Sequence, residues 1–227
     1  VKPELMIIKS RSSAGNWIVN QLYDGTNYRL LRLNQTTANI MNVDGSNTNA
    51  TTFRALQYNQ DTGVAGDNLN VSGTTYVAYL FAHNAGGFGL TGTDNVISCG
   101  SVSTTNATQN ITLGYEPQYI MWKKADTTGS WWIFDTMRGW VVDGGSGTGD
   151  KALFAESSIA EYATNGMDPT STGFQLSAGW GTGTYIYIAI RRGPMKVPTD
   201  GTKVFAPIKT TAASGTVITT NFPVDSQ

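Results

Sequence analysis

The hydrophobic pattern of this chain is a series of short apolar runs set between turns rich in glycine, asparagine and aspartate. Residues 119–122 (Tyr-Ile-Met-Trp) form one unbroken run, residues 123–129 turn the chain, and residues 131–134 (Trp-Trp-Ile-Phe) return it. Runs of this length, aromatic and β-branched, with Gly and Asp at their borders, predict strands. The same pattern predicts strands over 4–10, 16–23, 28–34, 37–43, 52–58 and 75–83, then over 95–103, 110–113, 118–124, 131–136, 151–156, 174–177 and 184–191. Asp24-Gly25, Asp44-Gly45 and the stretch 63–73 supply the positive φ angles of tight turns. Residues 76–81 and 185–190 are apolar on both faces, which predicts central positions in their sheets. A short helix over 157–164 is disfavoured because that stretch matches residues 36–38.

The pattern repeats. Pro3 to Lys9 falls on Pro117 to Lys123, and Trp17 falls on Trp132. Leu31-Arg-Leu falls on Leu153-Phe-Ala, and residues 75–81 fall on 184–190. Four matches in the same order predict a duplicated unit of roughly a hundred residues, an ordinary domain size. The predicted fold class is all-β, two tandem antiparallel β-sandwich domains of jelly-roll or concanavalin-like type. Residues 1–88 make the first repeat and 89–195 the second. Residues 196–227, punctuated by Pro198 and Pro207, read as a linker and the start of a third repeat, because Thr216 to Phe222 resembles Asn110 to Tyr115. The chain starts on Val directly before a strand motif, so a piece of a longer polypeptide is expected.

Composition narrows the function classes. Of the 227 residues 40% are hydrophobic, enough for real cores, and 14% are charged, with 26 glycines. The net charge of -1 and the lack of a basic cluster disfavour nucleic acid, whose binding draws on Lys and Arg neutralising phosphates. No run is long and apolar enough for a membrane-spanning helix, so membrane insertion is not expected. The single cysteine, Cys99, makes no disulfide framework and is expected to be a small buried hydrophobe. No cofactor is expected.

Candidate chemistry is sparse. His83 is the lone histidine, no G-x-S-x-G elbow supports it, and its counterpart in the second unit is Arg192, which is no base. Asp143 to Asp150 is a glycine-rich run whose carboxylates suit a hard cation such as calcium, without the order of an EF-hand. It also lacks the G-K-[ST] ending of a phosphate loop. Trp122, Trp131, Trp132, Trp140 and Trp180 crowd the second unit. Trp131 and Trp132 must face opposite ways in a strand. Trp140 and Trp180, in turn-rich segments, are the expected exposed rings, and exposed rings beside polar groups stack on the apolar faces of sugars. The candidate ligand-binding residues are therefore Trp140, Trp180, Asp143 and Asp150. The sequons at Asn34, Asn49, Asn70, Asn106 and Asn110 arise from an Asn- and Thr-rich composition.

The two-unit pattern resembles a tandem domain family of unknown function in structural proteins of tailed bacteriophages of marine and cyanobacterial hosts. The residues that carry it are PELMIIKSRSS, NWIV, LRLNQTTA and SGTTYVAYLFA in the first unit. In the second they are GYEPQYIMWKK, SWWIFDTMRG, LFAESSIAE, Gly173-Phe174 and GTYIYIAI, with VPTDGTKVF after it. The resemblance implies a concanavalin- or laminin-G-like sandwich and a virion location. It also implies a non-enzymatic role in particle assembly and host attachment, with other virion proteins as partners and a homo-oligomeric state. It transfers no catalytic residues. A lectin-like module that recognises host-surface glycan is the first alternative, and a polysaccharide depolymerase the second. Hydrolysis needs two carboxylates across a cleft. The available acids Glu116, Asp135, Asp143, Asp150, Glu156, Glu161 and Asp168 show no spacing that pairs two on one strand face. Asp135 aligns with Asn20, which leaves the first unit without that acid.

Overall fold

The structure is a computed structural model, and it describes residues 1–39, 41–46, 48–53, 69, 71–89, 91–142 and 149–193. The described chain is almost wholly β. Its strands are β1 (Leu5–Ser10), β2 (Ile18–Leu22), β3 (Tyr28–Arg32), β4 (Met41–Val43), β5 (Tyr76–Phe81), β6 (Ile97–Thr105) and β7 (Gln109–Thr112). They continue as β8 (Pro117–Lys124), β9 (Trp131–Asp135), β10 (Asp150–Phe154), β11 (Tyr162–Thr164), β12 (Met167–Thr170), β13 (Gly173–Leu176) and β14 (Thr182–Arg191). No strand covers residues 52 and 53, and the rest of the strand expected over 52–58 lies outside the described residues. So do Asp143, the run Thr216 to Phe222 and the whole of 196–227. The segment 157–164 holds no helix and ends in β11.

Among the described residues all strand pairs are antiparallel and form three sheets. Their orders are β4-β3-β2-β1-β5, β11-β10-β9-β8-β14-β6 and β12-β13-β7. The first two share one topology, with β1 standing for β8, β2 for β9, β3 for β10, β4 for β11 and β5 for β14. The registers agree residue by residue. Leu5 lies opposite Phe81 as Tyr119 lies opposite Ile190, and Val19 opposite Leu31 as Ile133 opposite Leu153. One sequence match needs correcting. Ile18 pairs with Ile8 as Trp132 pairs with Trp122, so Trp17 corresponds to Trp131, not Trp132. By the same register Asp135 corresponds to Gln21, not Asn20. The alignment slipped because Trp131 and Trp132 are adjacent and either ring satisfies a single-Trp motif.

The six-stranded sheet is the middle layer, and strand alternation sorts its side chains. Ile120 and Trp122 of β8, Phe134 of β9, and Tyr185, Tyr187 and Ala189 of β14 face the three-stranded sheet, where they meet Ile111, Met167, Phe174 and Leu176. Met121, Trp131, Ile186 and Ile188 face the other way and meet Leu5, Val19 and Leu31 of the five-stranded sheet, with Cys99 between them. A third cluster, of Met6, Ile8, Ile18, Tyr28 and Leu30, lies on the outer face of the five-stranded sheet. Each predicted unit thus has a cluster of its own, and the cluster between them draws from both. Cys99 is buried as expected, and burial raises the pKa of its thiol.

Polar bonds fasten the same junction. The turn after β3 clasps the β8–β9 hairpin: Asn39 N–H donates to Ala125 O at 2.7 Å and Gly129 N–H to Thr36 O at 2.8 Å. The Trp131 indole N–H donates to Arg32 O at 2.8 Å, and Lys123 Nζ donates to Thr36 O at 3.0 Å and Gly129 O at 2.6 Å. Lys123 is fully buried, and the loss of hydration moves its pKa down to about 8.

One positional expectation fails. Residues 185–190 do lie inside their sheet, flanked by β8 and β6, but β5 ends its sheet, paired with β1 alone among the described strands. An apolar composition on both faces therefore reflects the shared repeat more than the neighbours β5 has here.

Candidate functional site

The three-stranded sheet is too narrow to cover the whole face of the six-stranded one. Beside it lies a row of aromatic rings. Trp180 and Trp132 meet edge to face with centroids 5.3 Å apart, as do Trp132 and Phe154 at 4.6 Å, and Phe154 and Tyr162 lie tilted at 5.8 Å. Trp132 comes from β9, Phe154 from its partner β10, and Tyr162 from β11, so neighbouring strands place three rings side by side. The fourth, Trp180, comes from the turn between β13 and β14. Trp132 and Trp180 are half-buried, and Tyr162 is 48% exposed.

The local backbone explains how Trp180 reaches the row. Gly179 and Gly181 both have positive φ, 120° and 76°, and fold the turn around the ring. The indole N–H donates to Gly166 O, and a Cβ at Gly166 would lie 2.9 Å from the ring, so only glycine leaves room for the indole edge against that backbone. The Tyr185 hydroxyl donates to Trp180 O, and Asn106 Oδ1 accepts from the N–H groups of Gly179 and Gly181 at 3.1 and 3.0 Å. The ring is held from several sides before any ligand arrives.

A cleft opens on each side of Trp180. One, of 190 Å³, is lined by Trp132, Thr164, Asn165, Gly166, Ser177 and Trp180 among others. The other, of 290 Å³, is lined by Lys124, Thr127, Thr128, Ser130, Trp132 and Tyr185 among others. Lys124 Nζ sits 5.7 Å from the Tyr185 ring and donates to Thr182 O at 2.8 Å. The Tyr185 hydroxyl pKa is raised by burial and by the charge of Asp126. Among the described residues, neither cleft is lined by an aspartate or a glutamate. The arrangement offers flat apolar rings with hydroxyl, amide and ammonium groups at their borders. That suits stacking and hydrogen bonding more than proton transfer.

The four sequence candidates separate. Trp180 lies at the centre of the clefts. Trp140, expected exposed, is 1% exposed. A 3-10 turn over Thr136–Arg138 and Gly139 at φ 104° swing it inward, where its indole donates to Met167 O at 2.6 Å. Asp150 is also buried: it opens β10 and its Oδ1 accepts from Val141 N–H at 3.2 Å, so it fastens the chain after Trp140. Asp143 lies outside the described residues. Among the described residues no group of three or more His, Cys, Asp or Glu is placed to hold a metal ion. His83 Nδ1 accepts from Cys99 N–H at 3.2 Å, which ties the end of β5 to the start of β6.

Sequence reasoning missed Phe154 and Tyr162, and did not single out Trp132 from Trp131. The alternation of Trp131 and Trp132 was the usable signal, since one of them had to leave the core. Which one depends on the cross-strand register with Trp122, and a single sequence does not state that register.

A family model described as a domain of unknown function, DUF7483, matches residues 1–194. No curated protein and no solved structure matches the chain.

Proposed function

We propose that this chain, which belongs to the DUF7483 family of domains of unknown function, is a non-enzymatic structural module of a tailed-bacteriophage particle. In this reading it is a segment of a tail fibre or another surface-exposed protein, works in assembly and host attachment, and meets other virion proteins and copies of itself. The finer architecture we propose is a tandem duplication of one sandwich-like sheet module. The observation that supports this reading most is the repeated sheet. Two sheets of one topology pack face to face through a common apolar layer and are pinned by Trp131, Lys123 and the turn at 36–39. Interlocked repeats make a stiff spacer, and contacts are left to loops and sheet margins. The particle context rests on the sequence resemblance. Antibodies raised against the chain should decorate purified particles in electron micrographs. Particles that carry no label and no peptides of this chain by mass spectrometry would remove the reading.

A second reading has its own support: host-surface glycan bound along the aromatic row. Four rings in sequence with polar borders present the surface that stacks on sugar faces. Among the described residues the clefts are lined by hydroxyl, amide and ammonium groups, and the reading is one of binding. On a glycan array the intact chain should retain a defined class of oligosaccharide, and Trp180→Ala should weaken that binding at least about tenfold, the loss of one stacking contact. Equal binding by the two proteins, or none by the intact chain, counts against it.

A further inference from the structure

The two clefts beside Trp180 are alike in their aromatic wall and unlike in charge. Trp132 and Trp180 line both. The smaller cleft adds Thr164, Asn165 and Ser177, all neutral. The larger adds Thr127, Thr128, Ser130 and Lys124, and among the described residues Lys124 is the one charged side chain that lines either cleft. The strand places it there. Lys124 closes β8 opposite Tyr185, directly after Lys123. Alternation turns the two lysines to opposite faces, Lys123 to the junction with the five-stranded sheet and Lys124 to the face of Trp122 and Tyr185. The Lys124 ammonium is anchored without being used up. It donates to Thr182 O at 2.8 Å, and an ammonium has three N–H donors, so two remain. Asp126 lies two residues on, and its Oδ2 accepts from Thr184 N–H at 2.7 Å. Among the described residues no ion pair joins it to Lys124. The five-stranded sheet has no such arrangement: by register Ser10 stands where β8 has Lys124, and Ile18 where β9 has Trp132. The topology that the two sheets share therefore does not require this lysine.

We propose, on the footing of the glycan reading above, that the ligand is an anionic oligosaccharide. Its charged sugar takes the Lys124 cleft, and its neutral neighbour passes Trp180 into the cleft of Thr164, Asn165 and Ser177. A carboxylate and a sulfate ester present the same anionic oxygens to Lys124 Nζ, where a charge-assisted hydrogen bond is stronger than a neutral one. The hydroxyls of Thr127, Thr128 and Ser130 add donors around it. The hairpin that carries them is held in place, since Gly129 N–H donates to Thr36 O at 2.8 Å. With an ammonium on one side of Trp180 and neutral groups on the other, the two ends of the ligand are told apart, which sets the direction of the saccharide chain.

The test titrates the full chain with pairs of tetrasaccharides. Uronate-containing members are paired with their methyl esters, and sulfated members with their desulfated forms. At least one acidic member should bind about tenfold or more tightly than its neutral counterpart, the worth of one charge-assisted hydrogen bond. That preference should shrink as salt rises from about 0.05 to about 0.5 M. Lys124→Arg should keep the preference, and Lys124→Met should bind the two members of a pair alike. The series that shows the preference identifies the anion as carboxylate or sulfate. Neutral members bound as tightly as acidic ones in every pair overturn the anionic assignment and leave the glycan reading standing. A preference that salt does not move, or that survives in Lys124→Met, overturns it too, and the salt series needs no substituted protein. Failure to bind any saccharide, charged or neutral, removes the glycan reading and this proposal with it.

Discussion

The five-stranded and six-stranded sheets share one strand topology and sit in different surroundings. The six-stranded sheet is covered on both faces, by the five-stranded sheet on one side and by β12-β13-β7 on the other. Its strands accordingly carry large side chains in both alternations: Trp122 and Tyr187 towards one cover, Trp131 and Ile188 towards the other. The five-stranded sheet shares one covered face, and its other face carries the smaller cluster around Met6, Ile8 and Leu30. Equivalent positions therefore hold the same backbone geometry with unequal energetic weight. Homology of sequence tells where a residue sits in its sheet. The cover above it decides how much that residue stabilises the fold.

The sharpest way to break this comparison is at Trp131 and its counterpart Trp17. Trp131 is 1% exposed and donates across the layers to Arg32 O. Trp17 is half-buried on the chain entering β2. Trp131→Ala should destabilise by about 3–5 kcal/mol, the range for an emptied aromatic core site. Trp17→Ala should cost about 1 kcal/mol, because less apolar surface leaves cover. Chemical denaturation of both variants measures the difference, and equal losses would mean that the shared layer is not where the stability lies. One rank below, Ile188→Ala should cost about 2–4 kcal/mol. Tyr79→Ala at the equivalent, half-exposed site should stay within about 0.5–1 kcal/mol of the starting protein.

A gain should come from the opposite mismatch. Asn20 in β2 is fully buried with neither amide atom hydrogen-bonded, and the register sets it where β9 has Phe134. An unsatisfied buried amide costs roughly 1–3 kcal/mol, so Asn20→Leu should stabilise by about 1–2 kcal/mol and raise the denaturation midpoint. A fall in the midpoint would show that the amide has a use that the packing does not reveal.

The strands and the common order of the two large sheets were legible because both rest on local pattern. Residues 75–81 and 184–190 align without a gap, and the structure keeps that alignment in register. What escaped depends on long-range pairing. Among the described strands β5 has a neighbour on one side alone, and an apolar run does not say whether a second neighbour is present. Strands β11 and β12 were not foreseen: they are three and four residues long, and β12 carries Pro169. Of the candidate site, Trp180 was legible from its turn, while Trp140 was misjudged because Gly139 reverses the chain and buries the next ring. The row of Trp132, Phe154 and Tyr162 required knowing that β9, β10 and β11 are adjacent.

The prediction most specific to the junction of the two sheets concerns Lys123. Its counterpart Lys9 donates to Gly15 O within its own hairpin and is half-buried, whereas Lys123 is fully buried and bonds across to Thr36. Burial lowers its folded-state pKa from 10.5 to about 8, against a smaller opposing pull from Glu156. A folded pKa below the unfolded one means that the unfolded chain holds the extra proton between about pH 8 and pH 10.5. Stability contributed by this group therefore rises with pH across that window and is flat below it. The thiol of Cys99 and the hydroxyls of Tyr119 and Tyr187, all raised by burial, work the other way at high pH. They are present in both proteins and drop out when Lys123→Met is subtracted from the unsubstituted chain. That difference in unfolding free energy should be constant from pH 6 to about pH 8 and then move in favour of the lysine protein up to about pH 10.5. A flat difference would mean that Lys123 keeps its proton by reaching water, and that the two sheets part more easily than their shared apolar layer implies.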